Sequence, residues 1–218
     1  MRRPFFPPVE FADESGLLCW GGHTDPRTLL DAYRRGIFPW PHEGYPLLWF
    51  APPMRAILCF DELRLNARLK RNLRKQNFQI TFDQAFDEVI AACGGERLVE
   101  GEPDGGTWIT PEIVAGYAAL HAEGWVHSVE AWQEGELVGG LYGVLLGAHF
   151  CGESMFRRQP DASKACVVAL ANRLKENGAS WLDIETMTPH FERLGAREIP
   201  RAQFMDWMET AQEQPRAW

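Results

Sequence analysis

The chain has 218 residues, 45% of them hydrophobic, which is enough for a real core in one large or two small domains. Its net charge of −8, from 22 basic and 30 acidic residues, argues against generic nucleic-acid binding but leaves room for a local basic patch. The five cysteines are odd in number and form no Cys-x-x-Cys pair, and no apolar run approaches the ~20 residues that span a bilayer. We therefore expect a cytosolic, cytoplasmic protein with no membrane segment.

The first part of the chain, residues 1–60, is rich in Pro, Gly and Trp and is predicted to form a small N-terminal domain. Proline at the first helical position and glycine after the last predict one helix here, because proline tolerates that position and glycine ends helices. The predicted elements are a helix from Pro26 to Gly36, capped by Asp25 or Thr24, and strands at Leu47–Phe50 and Arg55–Phe60 around a Pro52-Pro53 turn.

Residues 61–218 are predicted to form a second, larger domain of α+β class, with helices packed on a β-rich middle. A polar, glycine-rich loop from Gly94 to Gly106 is long enough to indicate function or mobility. The predicted helices are Leu63–Lys75, Asp83–Cys93, Pro111–Glu123, Ser163–Asn177 and Pro189–Leu194, and the predicted strands are Phe78–Phe82, His127–Gln133, Glu136–Leu145, Ala148–Cys151 and Trp181–Thr186.

The predicted helix beginning at Leu63 carries six basic residues in twelve positions, next to a stripe of leucines. A charge run of this kind is usually a solvated helix face. In so acidic a chain, however, concentrated positive charge favours a polyanion such as RNA or another phosphate partner. The candidate contacts are Arg64, Arg68, Arg71, Arg74 and Lys75.

Two of the nine tryptophans, Trp49 and Trp108, stand in loop-flanked positions. Tryptophans there commonly fill the edge of a core. Alternatively, two indoles stack on the faces of a base, which is worth about 1–3 kcal/mol per base.

Acidic side chains interrupt two apolar, strand-like runs, at Glu153 in the first and at Asp183 and Glu185 in the second. An unpaired buried carboxylate costs several kcal/mol or shifts its pKa. Residues two apart on a strand share a face, so Asp183 and Glu185 are predicted to lie together. This pattern indicates chemistry, although a stability or metabolite-binding role is the plainer interpretation. No zinc, dinucleotide or Walker spacing is present, and we predict no metal and no cofactor.

Taken together, these residues resemble the leucyl/phenylalanyl-tRNA–protein transferase family. The similarity is ordered along the chain from about residue 5 to residue 207. It rests on these segments: Phe6-Pro7-Pro8, Gly16-Leu17-Leu18, Tyr33-Arg34-Arg35-Gly36-Ile37-Phe38-Pro39-Trp40, Leu48-Trp49, Arg55-Ala56, Gly106-Thr107-Trp108-Ile109-Thr110, His127-Ser128-Val129-Glu130, Leu137-Val138-Gly139-Gly140, Gly152-Glu153-Ser154-Met155-Phe156, Ala162-Ser163-Lys164 and Leu194-Gly195-Ala196-Arg197-Glu198-Ile199-Pro200.

The resemblance implies an acetyltransferase-like (GNAT) second domain that uses aminoacyl-tRNA in place of acetyl-CoA, and a monomer. Leu, Phe or Met would pass from tRNA to proteins with N-terminal Arg or Lys, marking them for N-end-rule degradation. By position, Trp49 and Trp108 would clamp the terminal adenosine, and the basic helix would hold the acceptor stem. The donor side chain would be held by Leu141, Phe150, Met155 and Leu174, and the polar centre would be Glu153, Asp183 and Glu185.

One position departs from the family pattern, because Glu185 stands where the family has glutamine. An amide relay cannot be carried over to it. We expect instead that Asp183 orients, that Glu185 contacts or deprotonates the acceptor α-amine, and that Glu153 holds polar groups. Carboxylates this close should couple and raise at least one pKa unless a cation enters.

Two other functions remain open from the residues alone. An acyl-CoA-dependent N-acetyltransferase would need a glycine-containing phosphate loop, and Arg157-Arg158-Gln159-Pro160 occupies its expected place without a glycine. A non-catalytic RNA-binding module would explain the basic helix and the tryptophans but would leave the buried acids without a task.

Overall fold

Two β-sheets organise the chain in this computed structural model, which describes residues 6–95, 98–99, 102–103 and 107–218. A small sheet has the strand order β1-β3-β2, and a seven-stranded sheet has the order β12-β4-β11-β10-β9-β8-β5. The strands are β1 Leu17–Trp20, β2 Phe38–Pro39, β3 Leu48–Phe50, β4 Met54–Cys59, β5 Gln79–Phe82, the short pair β6 Leu98–Val99 and β7 Glu102–Pro103, β8 Val126–Gln133, β9 Glu136–Leu146, β10 His149–Arg157, β11 Trp181–Asp183 and β12 Arg197–Pro200.

Helices cover both faces of the large sheet. They are α1 Pro26–Tyr33, α2 Ala67–Gln76, α3 Phe86–Cys93, α4 Pro111–Ala122, α5 Ala162–Glu176, α6 Pro189–Leu194 and α7 Arg201–Gln212. Leu141 and Leu145 of β9 pack in the cluster that contains α5, whereas Tyr142 and Val144 pack in the cluster that contains α3 and α4. This alternation follows from the period of two along a strand. It places one core on each side of the sheet, and the predicted α+β class is confirmed.

The strand pairing of the large sheet is antiparallel except at one seam. Strands β10 and β11 run parallel and are in register at a single residue pair, Cys151 with Asp183. Beyond that pair the two strands are no longer joined by pairing, so the sheet opens there. The residues that follow this pair, from Gly152 within β10 and from Ile184 after β11, therefore line a gap instead of a continuous sheet.

Several local predictions are confirmed by capping and turn geometry. The Asp25 side chain accepts a hydrogen bond from the backbone N–H of Thr28 at the start of α1, and Thr110 accepts one from Ile113 at the start of α4. Glu134 and Gly135 both have positive φ, 54° and 84°. Two such residues form the tight turn that matches strand twist, which explains the β8–β9 hairpin.

Strand β4, predicted as the last strand of residues 1–60, pairs with β11 and β12 of the large sheet, and the small sheet ends at Phe50. Two helix starts differ from the predictions. Helix α2 begins at Ala67 because Asn66 caps it, which leaves Arg64 in the preceding turn. Asp83 does not cap α3. It has φ 57° and its carboxylate accepts a hydrogen bond from the Ser128 backbone.

Strands β1, β2 and β12 and helix α7 carry no clear sequence signal and were not predicted. Most of the Gly94–Gly106 loop lies outside the described residues, so its predicted character stays a prediction. All five cysteines are free thiols. Across the described ranges, no helix is both long and apolar enough to cross a bilayer.

Candidate active-site cleft

A cleft of about 2480 Å³ runs between the small sheet, the start of α4 and the open seam of the large sheet. Its walls include Trp40 and Tyr45 from the N-terminal part and Trp108 before α4. Glu153 and Glu185 line its inner end, where β10 and β11 separate. The cleft therefore brings the predicted acidic residues together with aromatic side chains from a different part of the chain.

Glu153 reaches the cleft because of a β-bulge. The pairing of β10 with β9 shifts between Gly152 and Ser154, so Glu153 is the extra residue, and bulges re-aim side chains in this way. Its carboxylate Oε2 accepts a hydrogen bond of 2.8 Å from the Tyr117 hydroxyl, which itself contacts the Tyr33 hydroxyl. The other oxygen, Oε1, is buried and has no hydrogen-bond partner among the described residues.

Glu185 lies near Asp183, but the two do not share a strand face. Strand β11 ends at Asp183, and Glu185 follows in the left-handed region with φ 60°. The predicted strand to Thr186 is therefore wrong at its last residues, because this turn replaces it. The Glu185 carboxylate accepts a hydrogen bond from the Cys151 thiol at 3.5 Å, and its side chain is 13% exposed.

Asp183 is completely buried, and its carboxylate oxygens are occupied by protein groups. Arg55 donates to both oxygens, Nε to Oδ1 and Nη2 to Oδ2, each at 2.8 Å. His149 Nε2 lies 3.1 Å from Oδ2, and the backbone N–H of Glu185 donates to Oδ1 at 2.9 Å. Asp183 thus supports the site from behind and does not face the cleft.

Arg55 and His149 were not predicted as site residues. The sequence gives only a weak signal for Arg55, which stands in one of the segments that resemble the family but has no motif of its own. Sequence spacing alone cannot identify which residue pairs with a buried Asp183. A buried carboxylate requires a paired cation, so the predicted burial of Asp183 implies a cationic partner without saying which residue it is.

The three carboxyl groups have different acidities. Burial raises the pKa of Glu153 to about 7, against hydrogen bonds from Tyr33 and Tyr117 that lower it. Burial, and then the negative charge of Glu153, raise the pKa of Glu185 well above its ordinary value. Although burial opposes ionisation of Asp183 as well, the Arg55 guanidinium and His149 hold its pKa well below the usual range. The coupling expected between neighbouring carboxylates therefore concerns Glu153 and Glu185.

The apolar part of the cleft contains two of the four residues predicted for the donor side chain. Leu141 and Met155 line it, together with Val167 and Leu170 of α5. Phe150 and Leu174 are not part of the lining and belong to the core between the sheet and α5. The sequence pattern missed Val167 and Leu170, which read as ordinary core positions of a helix.

The predicted tryptophan pair is only half in the cleft. Trp108 lines the wall, but Trp49 is completely buried, with its indole N–H donating to the Gly21 carbonyl at 2.8 Å. The structure therefore corrects the assignment of Trp49 to base stacking, since neither ring face is open to a ligand. Trp40 is 37% exposed and lines the same cleft. Trp40 stands in one of the segments that resemble the family. Its exposure, which depends on the fold, distinguishes it from the buried Trp49.

The predicted basic surface is exposed. Arg68, Arg71, Arg74 and Lys75 lie on α2 and Arg64 just before it, all exposed to solvent. Helix α2 is tied to the start of α5 by a hydrogen bond from the Asn72 amide to the Asp161 carboxylate, 3.1 Å long. Arg157 and Arg158, at the end of β10, line the cleft mouth. Positive charge thus lies both on α2 and at the mouth of the cleft.

Within the part of the chain that the structure describes, one group of side chains has ligand atoms close enough for a metal ion: Cys151, Glu153 and Glu185, within 4.8 Å of one another. The Arg55 guanidinium lies 3.6 Å from the Cys151 sulfur and 4.0 Å from Glu185 Oε1. Because that cation already supplies positive charge at this group, we assign no metal to it.

Comparison with known proteins identifies one family over most of the chain. The family model described as leucyl/phenylalanyl-tRNA protein transferase matches residues 57–209, and the model of its N-terminal domain matches residues 22–53. Curated proteins named leucyl/phenylalanyl-tRNA–protein transferase are 52% identical in Aromatoleum aromaticum (93% of this chain, 84% of the relative), and 47% identical in Nitrosomonas eutropha (96% and 89%) and Stutzerimonas stutzeri (97% and 93%).

Among solved structures, the chain is similar to L-PGS from Bacillus licheniformis, with 13% identity over 70% of this chain and 48% of that one and a TM-score of 0.42. It is also similar to a ribosomal-protein-alanine N-acetyltransferase from Brucella melitensis, with 18% identity over 53% of this chain and 86% of that one and a TM-score of 0.34. These likenesses concern fold alone.

Proposed function

This chain belongs to the leucyl/phenylalanyl-tRNA–protein transferase family, and we propose that its cleft is the place where the aminoacyl group passes from tRNA to the N-terminal amine of a protein. The chain is thus an aminoacyltransferase. The donors are leucyl- and phenylalanyl-tRNA, with methionyl-tRNA as a further donor of similar shape, and the acceptors are proteins that begin with Arg or Lys.

The observation that carries this proposal is the pair of carboxyl groups at the inner end of the cleft. Glu153 and Glu185 repel each other in a desolvated place, and the Arg55 cation, 2.8 Å from Asp183 but 4.0 Å from Glu185, offsets that repulsion only in part. A cationic side chain entering beside them would relieve that repulsion and favour both ionised forms. An N-terminal Arg or Lys supplies such a cation together with the amine that reacts.

Transfer itself needs a neutral amine held against the ester carbonyl of the aminoacyl-tRNA. Positioning lowers the barrier, and a carboxylate within hydrogen-bond reach takes up the proton that the amine loses. Glu185 and Glu153 face the cleft and are the candidates for this contact. Asp183 serves as an orienting group only, because its oxygens already accept four hydrogen bonds from protein groups.

The donor side chain fits the apolar part of the cleft. Leu141, Met155, Val167 and Leu170 form a lining without charge, which suits Leu, Phe and Met. Rejection of Ile and Val would be a matter of shape, worth about 1–3 kcal/mol. Phe150 and Leu174 support this lining from the core and do not touch the donor.

The tRNA end is held by stacking and by charge. Trp40 and Trp108 are cleft tryptophans with accessible rings, so we assign the terminal adenosine to them and not to Trp49. The exposed cations of α2, with Arg157 and Arg158 at the cleft mouth, suit the phosphates of the acceptor stem.

The two alternatives raised by the sequence explain less. An acetyltransferase using acetyl-CoA lacks its glycine-containing phosphate loop at Arg157–Pro160. A purely RNA-binding module does not account for the carboxyl pair, and membership of a transferase family over most of the chain speaks against both.

The test is transfer of radiolabelled leucine from Leu-tRNA to a peptide with N-terminal Arg, with acetyl-CoA as a competing donor. We expect labelled peptide, no effect of acetyl-CoA and a large loss of rate in Glu153→Gln. In Glu185→Gln, which restores the family's glutamine, we expect the rate to lose the pH dependence that comes from titration of Glu185. Tight Leu-tRNA binding without any product, by correctly folded protein, would favour the binding module instead.

A further inference from the structure

Arg55 of β4 is held by hydrogen bonds at Nε and Nη2 and by two aromatic rings, while its Nη1 is buried without a hydrogen-bond partner among the described residues. Its side chain is 2% exposed, and its Nε and Nη2 grip the two oxygens of Asp183 at 2.8 Å each. The guanidinium carbon also lies 4.7 Å from the ring centre of Phe38 and 4.8 Å from that of Phe204. A guanidinium that makes two parallel hydrogen bonds and also stacks on aromatic rings has a fixed orientation as well as a charge. A lysine ammonium group would keep the charge but not this orientation.

This orientation is passed on to Glu185. Oδ1 of Asp183 accepts both the Arg55 Nε–H and the backbone N–H of Glu185, so the ion pair closes the turn that follows β11. That turn puts Glu185 in the left-handed region, φ 60°, which non-glycine residues adopt only when their surroundings enforce it. Nη2 of Arg55 lies 4.0 Å from the Glu185 carboxylate oxygen itself.

We propose that Arg55 is a positioning residue for aminoacyl transfer: through Asp183 it fixes the turn that aims Glu185 at the acceptor amine, and its charge favours the ionised form of that carboxylate. The inference rests on the proposed function, because it assigns Arg55 a task only if Glu185 contacts the amine. Arg55 touches no substrate and acts through other residues.

The charged and titratable groups around Glu185 come from several elements. Arg55 is the cation that lowers the pKa of Glu185, while burial, Glu153 and Asp183 raise it. The groups that face Glu185 or line the same inner cleft are Tyr33 of α1, Arg55 of β4, Tyr117 of α4, Cys151 and Glu153 of β10, Asp183 of β11 and His190 of α6. Removing the Arg55 charge should therefore raise the pKa of Glu185.

The experiment compares Arg55→Lys, which keeps the charge and loses the fork, with Arg55→Gln, which loses the charge. The readouts are kcat and KM for an Arg-initiated peptide at saturating Leu-tRNA, measured between about pH 5.5 and 9. In Arg55→Gln we expect kcat to fall about 10²-fold and the acid limb of the pH profile to move up by about one pH unit. In Arg55→Lys we expect a loss of kcat of about tenfold with little movement of the limb.

Two controls separate positioning from folding. Arg173 is also stacked on two aromatic rings, those of Phe82 and Trp218, but does not line the cleft, so Arg173→Gln should lower thermal stability without moving the pH profile. In a Glu185→Gln background, most of the shift caused by Arg55→Gln should disappear. If Arg55→Gln does not fold, Arg55→Lys carries the test, with the tenfold loss of kcat as the expected result and an unchanged kcat as the result that overturns it.

Arg55 variants that lose activity only in proportion to their folded fraction, with an unchanged pH profile, would overturn the proposal. An upward shift that persists in the Glu185→Gln background would do the same. Failure of the proposed function looks different, because the wild-type protein would then transfer no leucine at all.

Discussion

At the scale of single residues, Glu185 and Glu153 owe their positions to two local irregularities. A left-handed residue ends β11 early, and a bulge in β10 turns Glu153 into the cleft. The sequence predicted that acids and apolar residues alternate here, and it predicted that the acids would meet. It did not predict the left-handed turn or the bulge, because a regular strand that continued to Thr186 is equally compatible with this alternation of acidic and apolar residues.

The raised pKa of Glu153 makes a prediction about stability. The pKa of Glu153 rises from 4.5 to about 7 on folding. Its protonated form therefore contributes fully to the stability of the fold below about pH 4.5, and this contribution is lost as the pH rises through about 7. The change in the free energy of unfolding caused by Glu153→Gln should therefore be more favourable at pH 8 than at pH 4.5, by roughly 3 kcal/mol at most. Denaturant unfolding at both pH values measures this.

The matched control is Glu14→Gln, which changes an exposed glutamate far from the cleft lining. It should leave the difference between the two pH values unchanged. If Glu153→Gln changed the free energy of unfolding equally at pH 4.5 and pH 8, the surroundings would not disfavour the ionised form of Glu153.

The tryptophans give a second residue-scale prediction. Trp40→Ala and Trp108→Ala should each raise the KM for Leu-tRNA by an amount equivalent to about 1–3 kcal/mol, because each removes one stacking face. Trp49→Ala should instead lower the free energy of unfolding by about 3–5 kcal/mol, since it empties a core position. Steady-state kinetics and thermal unfolding distinguish the two outcomes.

Trp20→Ala is the control for this series, because Trp20 is 67% exposed and does not line the cleft. It should change neither quantity. A KM for Leu-tRNA that is insensitive to Trp40→Ala and Trp108→Ala would remove both residues from the nucleotide site.

At the scale of elements, the locally encoded ones were predicted and the others were not. Helices α1 and α4 carry proline and a capping side chain at their starts, and the β8–β9 hairpin carries its turn residues. Strand β12 draws its pairing from β4, which is far away in the sequence, and β2 has only two residues. No local pattern could have specified them.

Helix α2 carries the element-scale prediction. Its surface has Arg68, Arg71, Arg74 and Lys75 exposed together. If these cations neutralise about four phosphates, they should contribute about −3 to −4 to the slope of the log–log dependence of tRNA binding on salt. Replacing all four by Gln should make the slope less negative by that amount and leave the contribution of Arg157 and Arg158. Filter binding of Leu-tRNA at several salt concentrations measures the slope.

A slope that is already flat in the wild-type protein would exclude α2 as the tRNA contact. The control replaces Arg34 and Arg216, cations stacked on Trp125, by Gln. They do not line the cleft, and their loss should leave the slope unchanged.

At the scale of the whole molecule, the site exists because distant segments meet. Arg55 and Asp183 are 128 positions apart, and Tyr117 reaches Glu153 across 36. The residues indicated the acidic centre, the basic helix and one of the two cleft tryptophans. They could not indicate Arg55, because it meets Asp183 only through the pairing of β4 with β11. They could not indicate the exposure of Trp40 either, because that depends on how the N-terminal part of the chain packs around the cleft.

The central claim is that a carboxyl pair at the end of the cleft selects a cationic N-terminal residue for aminoacyl transfer. The most direct measurement is transfer of radiolabelled leucine from Leu-tRNA to peptides that differ only in an N-terminal Arg, Lys, Asp, Glu or Ala. We predict transfer to Arg and Lys, little to Ala, and none to Asp or Glu. Transfer to the acidic peptides at a comparable rate would contradict the claim.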